Sequence, residues 1–154
     1  YFLKYDAPEP GRNTIKIDVT YPPPVANAYR VFKLAEIDRL ISCQTVETMF
    51  ANKLVALIER FEKNETIAGR DLYDVHYFFT RGFDYNQAVI VERRGKESAV
   101  FLRELIDFVE KNVTDKIISQ DLNFLLPPEK FQPIRKILKA ETIMFLKDEL
   151  KRVR

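Results

Sequence analysis

The 154-residue chain has no tryptophan, one cysteine, one histidine and four glycines. A lone Cys43 excludes an internal disulfide and a cysteine-rich metal knuckle, and with His76 as the sole imidazole no multi-histidine zinc site can be assembled. Few glycines mean few positions at which positive backbone angles come cheaply, which argues against a turn-dense β-sandwich. No apolar run approaches the roughly 20 residues of a membrane span, and Tyr1 to Tyr5 carries neither a basic leader nor a signal-peptide core. There is no Walker loop and no G-x-G-x-x-G. A reducing cytoplasm is the expected compartment. The chain opens on Tyr1 with residues that already read as strand, so further sequence is expected upstream.

What is present is a foldable composition. Apolar residues make up 46%, with 12 Phe and 7 Tyr, and charged residues 31%, which excludes a disordered chain. A chain of this length buries roughly 68–70% of its unfolded surface. The net charge of +2 is unevenly placed: from Pro133 to Arg154 there are seven Lys or Arg against three acids, a balance of +4, with −2 elsewhere.

Tyr1 to Tyr5 reads as a short strand and Asp6 to Arg12 as a loop punctuated by prolines and Gly11. In Asn13 to Thr20 the residues Ile15, Ile17 and Val19 alternate with Lys16, Asp18 and Thr20, the pattern of a half-buried strand ended by Pro22, Pro23 and Pro24. Val25 to Leu34 is compatible with strand or loop, and Leu40 to Cys43 reads as one more strand. Thr45 can cap a helix to about Lys63 whose apolar face holds Val46, Met49, Phe50, Leu54, Leu57, Ile58 and Phe61. Further helices are expected over Arg70 to Thr80, Tyr85 to Arg94 behind an Asp84 cap, Ser98 to Lys111, Thr114 to Leu122, and after Pro133; Pro127 and Pro128 are expected to end the segment before the last. The expected class is α+β, mainly α: a partial β-sheet over residues 1–44 followed by a helical bundle over residues 45–154.

Lys53 projects about 40° from Met49 and Leu57, inside the apolar arc of its helix. Lysines are rarely buried unpaired. Either the stem lies along the core edge and the head reaches water, or the cation enters a cleft where a phosphate or carboxylate compensates it. Asp71 falls within the apolar arc of the next helix. Asp71 and Asp74 either charge the helix start, with Arg70 pairing Asp74, or line the same cleft as Lys53. Asp18 is either one of a solvated strand pair with Lys16 or a ligand for a hard divalent ion. His76 and Cys43 read as packing residues.

IKIDVT (Ile15 to Thr20), TVETMFANKLVALIER (Thr45 to Arg60) and AGRDLYDVHYFF (Ala68 to Phe79) together resemble the AbiEii-type abortive-infection nucleotidyltransferases, the toxins of type IV toxin-antitoxin systems, on a polymerase-beta-like fold. The three stretches span about half of the chain. By this resemblance the strand carboxylate of K-x-D is Asp18, a catalytic residue and metal ligand; the triphosphate-contacting lysine is Lys53; and R-D-x-Y-D is Arg70, Asp71, Tyr73 and Asp74, whose acids belong to the active cleft and whose arginine serves the nucleotide. Family members also carry a Gly-Gly or Gly-Ser turn and a D-x-D metal pair upstream of that strand. None of Gly11, Gly69, Gly82 and Gly95 is followed by Gly or Ser, and no D-x-D occurs.

The resemblance implies the C-terminal part of a nucleotidyltransferase that, complete, uses Mg²⁺ to move a nucleotide from an NTP to an acceptor such as tRNA, with an antitoxin as partner; these residues alone are expected to be inactive. Arg135, Lys136, Lys139, Lys147, Lys151 and Arg152 either hold RNA or form a solvated helix face. The alternative from another class is a non-catalytic helical module that docks a protein or nucleic acid.

Overall fold

A computed structural model of the chain describes residues 1–4, 14–17, 19 and 21–153. Among the described residues, β1 (Phe2–Lys4) pairs antiparallel with β2 (Thr14–Lys16), and β3 (Tyr29–Leu34) pairs antiparallel with β4 (Arg39–Gln44) around a 3₁₀ turn at Ala35–Ile37. Six helices follow: α1 (Val46–Asn64), α2 (Gly69–Thr80), α3 (Gln87–Arg94), α4 (Ser98–Asn112), α5 (Asp115–Leu122) and α6 (Pro128–Arg152). None is long and apolar enough to cross a membrane.

Local chemistry sets the helix starts. Thr45 is extended and its hydroxyl accepts from the Thr48 N–H at 3.3 Å, so α1 begins where a capping residue precedes the apolar stripe. Thr114 caps α5 in the same way. The start of α3 differs from expectation: Asn86, not Asp84, is the cap, accepting from the Ala88 N–H, and Asp84 instead pairs with Arg152. The start of α6 also differs. Pro128 opens the helix, where a missing N–H costs no intrahelical bond, and Pro133 lies inside it. Pro133 removes one backbone bond, but Phe131 and Leu138 on either side are fully packed in the core and carry the helix through.

The core is helical. Phe50, Leu54, Leu57 and Ile58 of α1 meet Leu72 and Val75 of α2, Ile90 of α3, Phe101, Leu102 and Leu105 of α4, Ile118 of α5, and Leu138 and Leu146 of α6. Gly69 allows the tightest approach: a Cβ there would lie 2.8 Å from the Ile117 carbonyl oxygen and 3.0 Å from Ile118 Cα, so α2 enters against the backbone of α5.

The sheet pieces are not buried. Ile15 and Ile17 are exposed, and so are Val31, Phe32 and Leu40 of the hairpin. The alternation of Ile15, Ile17 and Val19 predicts a half-buried strand over Asn13 to Thr20; the described strand is Thr14–Lys16, and Ile15, Ile17 and Val19 are exposed. Val25 to Leu34 divides into a loop and then β3. The loop is fastened to the bundle: the Glu92 carboxylate accepts from the Val25 and Ala26 N–H groups at 2.8 and 2.6 Å, Asn86 Nδ2 donates to the Ala26 carbonyl, and the Ala28 N–H donates to Thr48 Oγ1. These bonds set Asn27 and the hairpin root against α1 and α3.

Candidate functional site

The site grows from α1. Residues 53 and 60 are seven apart, two turns of helix, so Lys53 and Arg60 extend from the same side. Asp71, in the first turn of α2, packs against that side with its carboxylate only 1% exposed. Lys53 Nζ lies 2.9 Å from Asp71 Oδ1 and 2.7 Å from Asp74 Oδ2, and Arg60 Nε lies 3.0 Å from Asp71 Oδ2. The buried carboxylate therefore has a cation on each oxygen, which is what makes its burial tolerable.

The Lys53 side chain is 37% exposed and its ammonium is compensated by the carboxylates of Asp71 and Asp74. Burial alone would lower the pKa of its ammonium, but the hydrogen bonds to Asp74 and Asp71, with the charges on those acids, outweigh burial and hold it above the usual value. Of the three N–H donors of Lys53, two go to these acids. Lys53, Arg60, Asp71 and Asp74 line a cavity of about 520 Å³ whose walls include Met49, Tyr77 and Phe78.

A third cation borders the cavity. Arg93 of α3 donates from Nη1 to Asn52 Oδ1 at 2.6 Å and from Nη2 to Glu59. Asn52 Nδ2 in turn donates to Asn27 Oδ1 at 3.2 Å and to Gln44 Oε1 at 3.4 Å. Arg60 had a legible signal in its heptad spacing from Lys53. Arg93 had none, since only packing of α3 on α1 brings it there.

Arg70 does not join this group. Asp74, its partner on one of the two readings, is held by Lys53; the Arg70 backbone N–H faces Asp121 Oδ2 at 3.5 Å, and Arg70 is exposed. Tyr73 lines a separate groove between α2 and α6 together with His76. His76 is buried, its Nε2 2.7 Å from Glu141 Oε2 and its ring edge-on to Phe145, which agrees with a packing role. Cys43 lies in β4, partly buried, remote in sequence and element from His76. Asp18 lies outside the described residues.

The basic end of the chain is largely engaged. Lys139 Nζ donates to the carbonyls of Glu110 and Val113 at 2.9 and 2.7 Å, supplying a cation to the C-terminal end of α4. Lys147 pairs with Glu110, Lys151 with Asp148, and Arg152 with Glu149 and Asp84. Arg135 lies over the Phe131 ring at 5.8 Å, and Lys136 is exposed.

The described residues do not fit a Mg²⁺ site. A hard divalent ion takes oxygen ligands, usually more than one carboxylate. Both oxygens of Asp71 and one of Asp74 are committed to cations, and no group of three Asp, Glu, His or Cys among the described residues is placed to hold a metal. The ammonium and guanidinium groups border one opening, each paired with a carboxylate, and Asp74, 40% exposed, is the more accessible of the two acids that hold Lys53.

Comparison with curated proteins and with solved structures gives no match. Comparison with protein families gives one over residues 1–140, to the family described as nucleotidyl transferase AbiEii toxin, type IV TA system. That match spans the hairpin, the Lys53 cluster and the first half of α6, and the chain belongs to the AbiEii family of nucleotidyl transferase toxins of type IV toxin-antitoxin systems.

Proposed function

We propose that the full-length protein transfers a nucleotide from an NTP to an acceptor such as tRNA, and that the Lys53 cluster is the phosphate side of its active cleft. The observation that carries the proposal is the half-buried Lys53 ammonium, shared between Asp71 and Asp74 at the mouth of a cavity that Arg60 also lines. In the transfer, an acceptor hydroxyl oxygen forms a bond to the α-phosphorus. The bond from that phosphorus to the oxygen bridging to the β-phosphate breaks, pyrophosphate leaves with the electron pair, and the hydroxyl proton passes to solvent. Lys53 and Arg60 counter the charge that grows on the departing pyrophosphate, and Asp71 holds both cations in place beforehand.

Mg²⁺ is the metal proposed for the complete protein, with Asp18 as one candidate ligand and further carboxylates supplied from outside residues 1–154. On this reading residues 1–44 contribute to the nucleotidyltransferase sheet, residues 45–154 form the helical part, and the 154 residues alone bind Mg²⁺-NTP weakly and transfer nothing. The working compartment is the cytoplasm, and an antitoxin protein restrains the activity. The rival reading is a non-catalytic helical module that docks a protein or nucleic acid; the family match supports the catalytic reading over it.

The test uses the protein at its full natural length with α-³²P-labelled NTPs, Mg²⁺ and total RNA. Label incorporated into a discrete RNA class is the expected result. An absence of label from all four nucleotides, with the protein shown to be folded, overturns the proposal.

A further inference from the structure

Between α2 and α6 runs a groove of about 620 Å³. Its α2 wall is Tyr73, Tyr77 and Arg81, spaced four apart and so aligned along one side of the helix. Its α6 wall includes Lys130, Ile134 and Ile137, which share a side at spacings of four and three. The core takes their neighbours, Leu72 and Val75 on α2 and Phe131 and Leu138 on α6, and leaves these two rows beside an opening. Tyr77 also walls the Lys53 cavity, so groove and cavity meet at one ring.

The chemistry of the groove is one-sided. None of the described residues that line it is acidic, and Glu141, which pairs with the lining residue His76 at 2.7 Å, is thereby engaged. Arg81 and Lys130 are exposed, and neither has a carboxylate partner among the described residues. The Arg81 guanidinium lies over the Tyr77 ring, 5.4 Å from its centre, and Tyr77 is itself 45% exposed. An occupant therefore meets two phenol rings, an aliphatic wall and two uncompensated cations. An apolar peptide helix would use the aliphatic wall and leave both cations idle, and duplex RNA keeps the faces of its bases inside its own stack. An unpaired RNA strand uses everything present: its bases stack on aromatic rings and on guanidinium planes, and its phosphates meet the cations.

We propose that the α2–α6 groove holds the unpaired 3′ end of an RNA acceptor, with bases against Tyr73, Tyr77 and the Arg81 guanidinium and phosphates at Arg81 and Lys130. The strand then passes Tyr77 and brings its terminal hydroxyl to the Lys53 cavity. The inference rests on the nucleotidyltransferase reading and adds to it where the acceptor lies and in what form it is taken.

Binding without NTP tests this in the full-length protein. The probes are a 5′-labelled RNA hairpin with a short unpaired 3′ tail of mixed sequence and the same hairpin with a blunt end. The variants are Tyr73→Leu, which keeps apolar bulk and removes the ring, and the exposed pair Arg81→Gln with Lys130→Gln; thermal unfolding accompanies each. The wild type is expected to prefer the tailed hairpin. Tyr73→Leu should weaken that binding by about 10-fold, the scale for one lost base stack, and leave the blunt hairpin unaffected. The double variant should also flatten the dependence of log affinity on log salt by about 1.4, or ~0.7 for each phosphate contact on a single strand. A salt slope is not moved by a merely structural loss. A wild type that binds both hairpins equally, or variants that bind the tail as the wild type does, overturns the inference. Variants that instead weaken binding of the antitoxin protein overturn it as well and make the groove a protein-docking face. In each case label transfer from NTP by the wild type leaves the transferase reading standing, and a wild type that transfers no label overturns both.

Discussion

Lys53 Nζ sits 2.9 Å from Oδ1 of Asp71, whose carboxylate is almost wholly buried, and this contact ties the middle of α1 to the first turn of α2. Because Arg60 holds the other oxygen of Asp71, the two helices share one charged pin. The pin fixes where the cations stand before any ligand arrives, the preorganisation that electrostatic catalysis requires.

Asp71 and Asp74 differ in burial, so their amides should differ in cost. Asp71→Asn removes the charge compensating Lys53 and Arg60 and is expected to lower stability by about 1–3 kcal/mol, the scale for a buried polar group stripped of its partner. Asp74→Asn, at an exposed pair, should cost under about 1 kcal/mol. Urea unfolding of both variants checks the order, and equal losses would contradict the assigned burial.

The ammonium of Lys53 has a folded-state pKa raised above 10.5, so its contribution to stability is complete below the unfolded value and is lost only as pH rises through the folded one. The difference in melting temperature between wild type and Lys53→Met should therefore stay constant from about pH 7 to about pH 10 and narrow above 10.5. A difference that disappears between pH 7 and pH 9 would contradict the pairing.

Gly69→Ala places a methyl group 2.8 Å from a backbone oxygen of α5, and backbone cannot swing aside as a flexible side chain can. The expected loss is about 1–3 kcal/mol, read from thermal unfolding, because α2 must shift outward to accept it. Since Asp71 is two residues further on, nucleotide transfer should fall as well.

Lys139 serves α4 more than any partner. Lys139→Met should lower stability by about 1 kcal/mol through loss of its bonds to the Glu110 and Val113 carbonyls. RNA binding at several salt concentrations should be nearly unchanged by it, and should weaken when Arg135 and Lys136 are both replaced by Ala. Loss of RNA affinity in Lys139→Met with stability intact would reverse these roles.

Much of this was legible in the sequence where the signal is local. The apolar stripe of α1, its Thr45 cap, and the placement of Lys53 inside the stripe follow from spacing alone, as do α2, α4 and α5. The errors share one cause, which is competition decided by distant residues. Asp84 and Asn86 are both good caps two residues apart. Arg152, at the far end of the chain, takes Asp84 and leaves the cap to Asn86. Pro133 reads as a helix start, yet burial of Phe131 and Leu138 carries α6 through it. At the site, spacing allows Lys53, Asp71 and Asp74 to share a cleft, whereas nothing local points to Arg93 or to the amides of Asn27, Gln44 and Asn52. Their association depends on the Glu92 and Asn86 bonds that fasten the loop before β3, and no periodicity reports those.

The central claim is that Lys53 serves phosphate chemistry and not only the pairing of α1 with α2. Nucleotide transfer to RNA by the full-length protein, measured for wild type and Lys53→Met with both confirmed folded at the assay temperature, tests it most directly. The account predicts a loss of roughly 10²-fold or more in turnover, the scale for removing one preorganised donor from a developing charge. Transfer by folded Lys53→Met at the wild-type rate would contradict it.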